Sequence, residues 1–225
     1  MTFTILGHCP RTGRLGGAVT TSDIAVGARV LFGQARLAVV ATQHRTDPRL
    51  GPALLKRLRS GDSARAAVEA VAAATADRAW RQLGVIDAAG RAAAYSGARV
   101  WPVCAELGGE GCLVLGNMLT GPEIAPAMSE AFHRCPGDDL CDRLLAGLDA
   151  GERAGGETGG GRLRSAALLV VAAESFPFVD LRIDDDLDPL GRLRSLWDAY
   201  RPLAEQFVAR ALTPDDVHRS SSTTT

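Results

Sequence analysis

The residue with the clearest chemical potential is Thr2. Aminopeptidases remove an initiator methionine when the next residue is small, and threonine qualifies. Removal of Met1 would leave the Thr2 hydroxyl beside a free α-amine. That amine titrates near pH ~7.7–8.0, so a neutral fraction can serve as base close to pH 7. A threonine so placed is an activated nucleophile for acyl transfer. The extended, β-branched run Thr2–Gly7 begins at this residue, so a sheet would hold the amine in place. Such a nucleophile needs a donor for the oxyanion, a role worth ~3–4 kcal/mol for one group. Asn117, in Gly116-Asn117-Met118-Leu119, directly follows an apolar run and offers an uncharged NH₂. Its plainer reading is a turn asparagine. Gln43 ends the run Val40-Ala41-Thr42-Gln43 and would orient substrate or Thr2, or simply cap a loop. Thr21 and Ser22 close the second extended run, across a hairpin from Thr2, with ordinary strand and turn residues as the alternative. His44 follows Gln43 and offers acid–base assistance, or is an exposed loop histidine.

Other patterns carry less. Gly155-Gly156-Glu157-Thr158-Gly159-Gly160-Gly161 lacks the terminal Lys-Ser/Thr of a phosphate-binding loop and reads as a mobile loop over the site. Arg164 beside it could meet a substrate carboxylate, or be a plain surface arginine. The acidic run Asp184-Asp185-Asp186-Leu187-Asp188 has no calcium-loop spacing; before Pro189 it reads as a helix N-terminus. Lys56 is the sole lysine and falls on a surface-patterned helix, which excludes most Schiff-base chemistry. Five cysteines in no CxxC pair argue against a disulfide scaffold and for a reducing compartment.

The elements that must position these groups are readable from patterning. Thr2–Gly7 and Leu15–Thr21 flank the turn Pro10-Arg11-Thr12-Gly13 and form an antiparallel hairpin. Leu37–Gln43 is a third strand. Helices are expected over Pro52–Arg59 and Ala64–Ala76, the second capped by Asp62-Ser63. Gln82–Asp87 and Arg91–Tyr95 form a second hairpin, Gly111–Gly116 another strand, and Ser165–Ala173 with Phe178–Ile183 the last pair. Pro122–Arg134, Asp138–Glu152 and Pro189–Ala211 read as helices, and residues 213–225 as a disordered tail. Hairpins make the sheets mainly antiparallel, and paired helices must cover them. Two packed sheets with helices outside satisfy every apolar face in one domain spanning residues 1–212.

Composition excludes whole classes. The chain has 225 residues, 46% hydrophobic, with a formal net charge of −1. It has no clustered basic excess for nucleic acid. No apolar run approaches the ~20 residues that cross a bilayer, and no signal-peptide pattern opens the chain. The expectation is a soluble, cytoplasmic protein.

Several segments in order carry a resemblance: Thr2–Val19, Ala25–Gly27, Val40–Gln43 with Asp47–Pro52, Arg81–Gly97, Gly116–Glu123, Ser165–Val171 and Val179–Leu193. Together they resemble the bacterial domain-of-unknown-function family 1028, regarded as Ntn-hydrolase-like. The resemblance implies an α+β, four-layer α/β/β/α sandwich with mainly antiparallel sheets and Thr2 at the nucleophile position. It implies an amidohydrolase cleaving an amide-type C–N bond in a small molecule, without metal or organic cofactor. The catalytic set is then Thr2, Asn117, Gln43 and Thr21. Substrate contacts are assigned to Ser22, His44, Arg45, Asp47, Glu106 and Arg164. The chain departs from the family pattern at Thr21-Ser22, Pro102–Glu106, Leu115, Arg164–Ala166 and Asp184–Asp186, which bears on substrate. The alternatives are a non-hydrolytic small-molecule-binding protein and a lyase or isomerase using the same pocket. A homodimer is expected, because sheet edges need cover.

Overall fold

In the computed structural model, which describes residues 2–156 and 162–215, the chain enters directly into a strand buried on both faces. This strand, β1 (Thr2–His8), pairs antiparallel with β2 (Leu15–Thr21) on one side and β8 (Cys112–Asn117) on the other. Beyond β2 lie β9 (Ser165–Val171) and β10 (Val179–Ile183); beyond β8 lies β7 (Ala105–Gly109). All these pairings are antiparallel. The second sheet orders β3 (Leu31–Gln34), β4 (Ala38–His44), β5 (Arg81–Asp87) and β6 (Ala92–Ser96), again antiparallel.

Strand periodicity sorts the side chains among three cores. On β1, Phe3 and Ile5 point outward to α3 (Ile124–Arg134) and α4 (Leu140–Arg153), packing on Met128, Phe132 and Leu144. The same core takes in Leu193 and Trp197 of α5 (Pro189–Tyr200). Leu6 points the other way, into a central core with Leu15, Val19, Val39, Ile86 and Leu115 from both sheets. The far face of the second sheet, through Val40, Leu83 and Val85, packs on Leu54 of α1 (Leu50–Arg59) and Val68 of α2 (Ala64–Ala74). The result is a four-layer α/β/β/α sandwich, as the layer argument requires. No described helix is long and apolar enough to cross a membrane. The five cysteines are free thiols.

Three elements differ from the sequence reading. Leu31–Gln34, read as loop, is strand β3, a four-residue edge with Gly33 in its interior. The second such strand is β7, whose Glu106, Gly108 and Gly109 obscure any apolar alternation. The single helix expected over Pro189–Ala211 is broken: α5 stops at Tyr200, a 3₁₀ turn spans Arg201–Leu203, and α6 covers Ala204–Leu212. Pro202 has no N–H to donate and its ring clashes with the preceding turn, so a continuous helix cannot form there. Asp188, rather than the aspartate run as a whole, caps α5 through Gly191 N–H at 3.0 Å. Most of the glycine-rich loop (157–161) and most of the tail (216–225) lie outside the described residues.

Candidate active site

The site forms where three strand ends of the first sheet meet the open end of the sandwich. β1 starts at Thr2, β2 ends at Thr21, and β8 ends at Asn117, and register places all three side by side: Thr2 opposite Thr21 on one flank and opposite Asn117 on the other. Residues directly opposite across antiparallel strands project to the same face. That face is the one shared by Thr4, whose hydroxyl reaches the second sheet, so the three side chains look between the sheets. The Thr2 hydroxyl lies 3.2 Å from that of Thr21, and Thr2 is only 7% exposed.

Beneath Thr2 runs a buried amide network. Thr4 Oγ1 donates to Gln43 Oε1 at 2.5 Å, and Gln43 Nε2 donates to Gln82 Oε1 at 2.7 Å. Asn117 Nδ2 donates to the same oxygen at 3.0 Å. Gln82 Nε2 faces the carbonyls of Gly116 and Ala105 at 3.0 and 3.2 Å and the Ser96 hydroxyl at 2.9 Å. Those carbonyls can only accept, so they fix which end of the Gln82 amide is NH₂, and through it the orientation of Asn117. Gln43, Gln82 and Asn117 are fully buried. Asn117 Oδ1 is buried with no donor among the described residues. Its carbonyl oxygen is therefore uncommitted there, while one hydrogen of its NH₂ is given to Gln82.

Above Thr2 opens a cleft of about 340 Å³ whose wall includes Thr21, Arg29, His44, Arg45 and Arg81. His44 and Met118, the residues just past Gln43 and Asn117, both turn into the left-handed region, at φ 68° and 55°. Such conformations in non-glycine residues cost on the order of 1 kcal/mol or more and cluster where side chains must be re-aimed. The His44 ring stacks on Trp80 at 6.0 Å and meets the edge of Trp101 at 5.7 Å. Its Nδ1 lies 2.9 Å from the Trp80 carbonyl, so this nitrogen carries the proton. Its Nε2 then accepts from Trp101 N–H at 3.4 Å. Burial lowers the His44 pKa; the Trp80 carbonyl partly opposes this, while the charges of Arg45 and Arg81 reinforce it. The imidazole is consequently neutral at pH 7.

The sequence matches the family of unknown function DUF1028 over residues 2–193. The chain belongs to the DUF1028 family. The crystal structure of protein SPO2555 from Silicibacter pomeroyi, described as DUF1028, is 36% identical, covers 88% of each chain and superposes with a TM-score of 0.81. The Anbu (ancestral beta-subunit) protein from Yersinia bercovieri is 11% identical over 92% of this chain and 96% of its own, at a TM-score of 0.40, too loose to carry an argument. No curated protein matches the chain.

Within this DUF1028 chain, Thr2, Thr21, His44 and Arg45 share the cleft, and Gln43 and Asn117 lie in the network below it. Ser22 is half-buried beside Thr21, outside the cleft wall. Asp47 is not brought to the cleft: its carboxylate is spent on the Arg49 side chain at 2.8 and 2.9 Å and on Arg49 N–H, bracing the turn into α1. The Arg49 guanidinium accordingly holds the Asp47 carboxyl below the usual carboxylate range. Glu106 is exposed on edge strand β7. Arg164 pairs bidentately with Asp185 at 2.9 and 2.7 Å, and its backbone N–H donates to the Thr21 carbonyl. Three residues escaped sequence reasoning. Gln82 looked like any polar strand residue, and Arg29 and Arg81 gave no motif.

Proposed function

We propose that this chain is an N-terminal-nucleophile amidohydrolase of small molecules, with Thr2 exposed by loss of Met1. The observation that carries the reading is the placement of the Thr2 hydroxyl. It sits at the first residue of a central strand buried from Thr2 to Gly7, hydrogen-bonded to Thr21 and opening onto a polar cleft. The processed α-amine takes the hydroxyl proton as Oγ attacks the amide carbonyl. The amine then passes that proton to the departing nitrogen as the C–N bond breaks. Water, deprotonated by the same amine, releases the acyl group from Oγ and restores the hydroxyl. Removal of Met1 would also place an ammonium or amine donor on the register partner of Asn117, whose buried Oδ1 lacks one among the described residues. Asn117 would then orient the amine, and the second hydrogen of its NH₂ group faces the oxyanion role.

The test is turnover of a panel of N-acyl amino acids and simple carboxamides, read by amine or ammonia release. The native chain is expected to turn over a member of the panel. Thr2→Ala should lose at least about 10³-fold in kcat/KM while staying folded, and Thr2→Ser should keep part of the rate. A folded Thr2→Ala protein with the native rate overturns the mechanism. One observation favours a second reading, ligand binding without hydrolysis: one hydrogen of the Asn117 NH₂ is already committed to Gln82. Saturable binding of a panel amide with no turnover would select it. The same proposal includes a cytoplasmic homodimer, in which edge strands such as β7 are covered; light scattering gives the mass that decides it.

A further inference from the structure

The charges around the cleft point beyond the reaction type to the substrate's own charge. Arg29, Arg45 and Arg81 all face the space above Thr2, against a single carboxylate, Asp23. That carboxylate is 83% exposed and pairs with Arg29 at 3.9 Å, a long, water-screened ion pair. Arg29 is nonetheless held in place, with Nη1 donating to the carbonyls of Ile24 and Ala25 at 2.7 and 3.0 Å. Arg45 has no ion-pair partner among the described residues. Its guanidinium lies 5.0 Å from the Trp101 ring centre and 5.9 Å from that of Trp80, so two indole faces orient it. Arg81 donates to the Arg45 carbonyl and so ties down the backbone that carries this guanidinium. Its Nε is buried with no acceptor among the described residues, and its ion pair with Asp77 is long, at 3.9 Å.

All three are guanidinium groups, planar forks of N–H donors. Three cations around one concave site focus the field there and concentrate anions from solution. We infer that the cleft takes an amide substrate bearing a carboxylate, with Arg45 as the specificity-determining contact. This inference rests on the amidohydrolase reading of the same site. The guanidinium fork matches a carboxylate in two parallel hydrogen bonds, and the cleft volume suits a small polar molecule.

Trp80 and Trp101 provide the readout, because they flank Arg45, while Trp197 is buried in the outer core. The experiment titrates the full chain with malonate, succinate, glutarate and adipate at fixed ionic strength, following tryptophan fluorescence. The matching diamides and inorganic phosphate serve as comparison probes. At least one dicarboxylate should bind saturably and at least tenfold more tightly than its diamide. Arg45→Gln should weaken that binding tenfold or more, and Arg65→Gln on α2 should leave it unchanged. Absence of saturable binding by every dicarboxylate, equal binding of the diamides, or an unaffected Arg45→Gln overturns the inference. Phosphate binding tighter than every dicarboxylate overturns the carboxylate assignment. Binding needs no turnover, so an inactive Thr2 leaves this test standing, and a negative titration leaves the Thr2 kinetics standing.

Discussion

Gln82 joins the two sheets beneath Thr2, with Oε1 accepting from Gln43 and Asn117 and Nε2 facing the Gly116 carbonyl. Replacing it by leucine strands several buried polar groups at once, each costing about 1–3 kcal/mol. Gln82→Leu should therefore lose on the order of 3 kcal/mol in urea unfolding, and the loss should far exceed that of the exposed Gln206→Leu. A second residue-scale prediction concerns pH. Burial lowers the pKa of His44 and of His8 in the folded chain, so the unfolded chain binds more protons in the window just below pH ~6.5. Stability should fall as pH drops through that window, down to the lowered folded values. His44→Asn, which tolerates the left-handed backbone, should flatten the slope measured by thermal unfolding at pH 5 to 7. Thr2, Thr21, Gln43 and Asn117 were legible because polar residues at the ends of apolar strands stand out. Gln82 was not, since its partners come from β4, β8 and residues 96–105, which no local pattern ties to it. Asp47 and Arg164 each pair with a neighbour, Arg49 or Asp185, in a way that motif position conceals.

At the scale of elements, the hairpins and capped helices followed from turn chemistry and periodicity. Ser63 caps α2 by accepting from Ala66 N–H at 3.2 Å, as the Asp62-Ser63 signal implied. Ser63→Ala should cost about 1 kcal/mol in chemical denaturation without altering the site. The short edges β3 and β7 stayed hidden because edge strands carry little alternation, and the register that reveals them comes from β4 and β8. How closely the two sheets approach was equally invisible. A Cβ at Gly84 would lie 2.5 Å from Leu115 Cδ1 across the central core. Gly84→Ala should push β5 from β8 and cost about 1–3 kcal/mol by overpacking. The displacement would also disturb Gln82, two residues earlier on β5. A substrate-turnover loss larger than the stability change alone explains is the expected sign that sheet spacing sets the site.

For the whole molecule, the two sheets act as a clamp. One presents Thr2, Thr21 and Asn117 from strand ends, and the other presents Gln43, His44 and Arg81 opposite them. The layer order followed from sequence because every apolar face needed a partner. The charge of the cleft did not, because Arg29, Arg45 and Arg81 are scattered among many arginines and only the fold gathers them. The proposed chemistry needs a hydroxyl beside its own free amine. Intact-mass spectrometry of the untagged protein decides whether that amine exists. The expected mass is lower by one methionine residue, with an N-terminal peptide beginning at Thr2. A protein that keeps Met1 in full has no α-amine at Thr2 and cannot work by this mechanism.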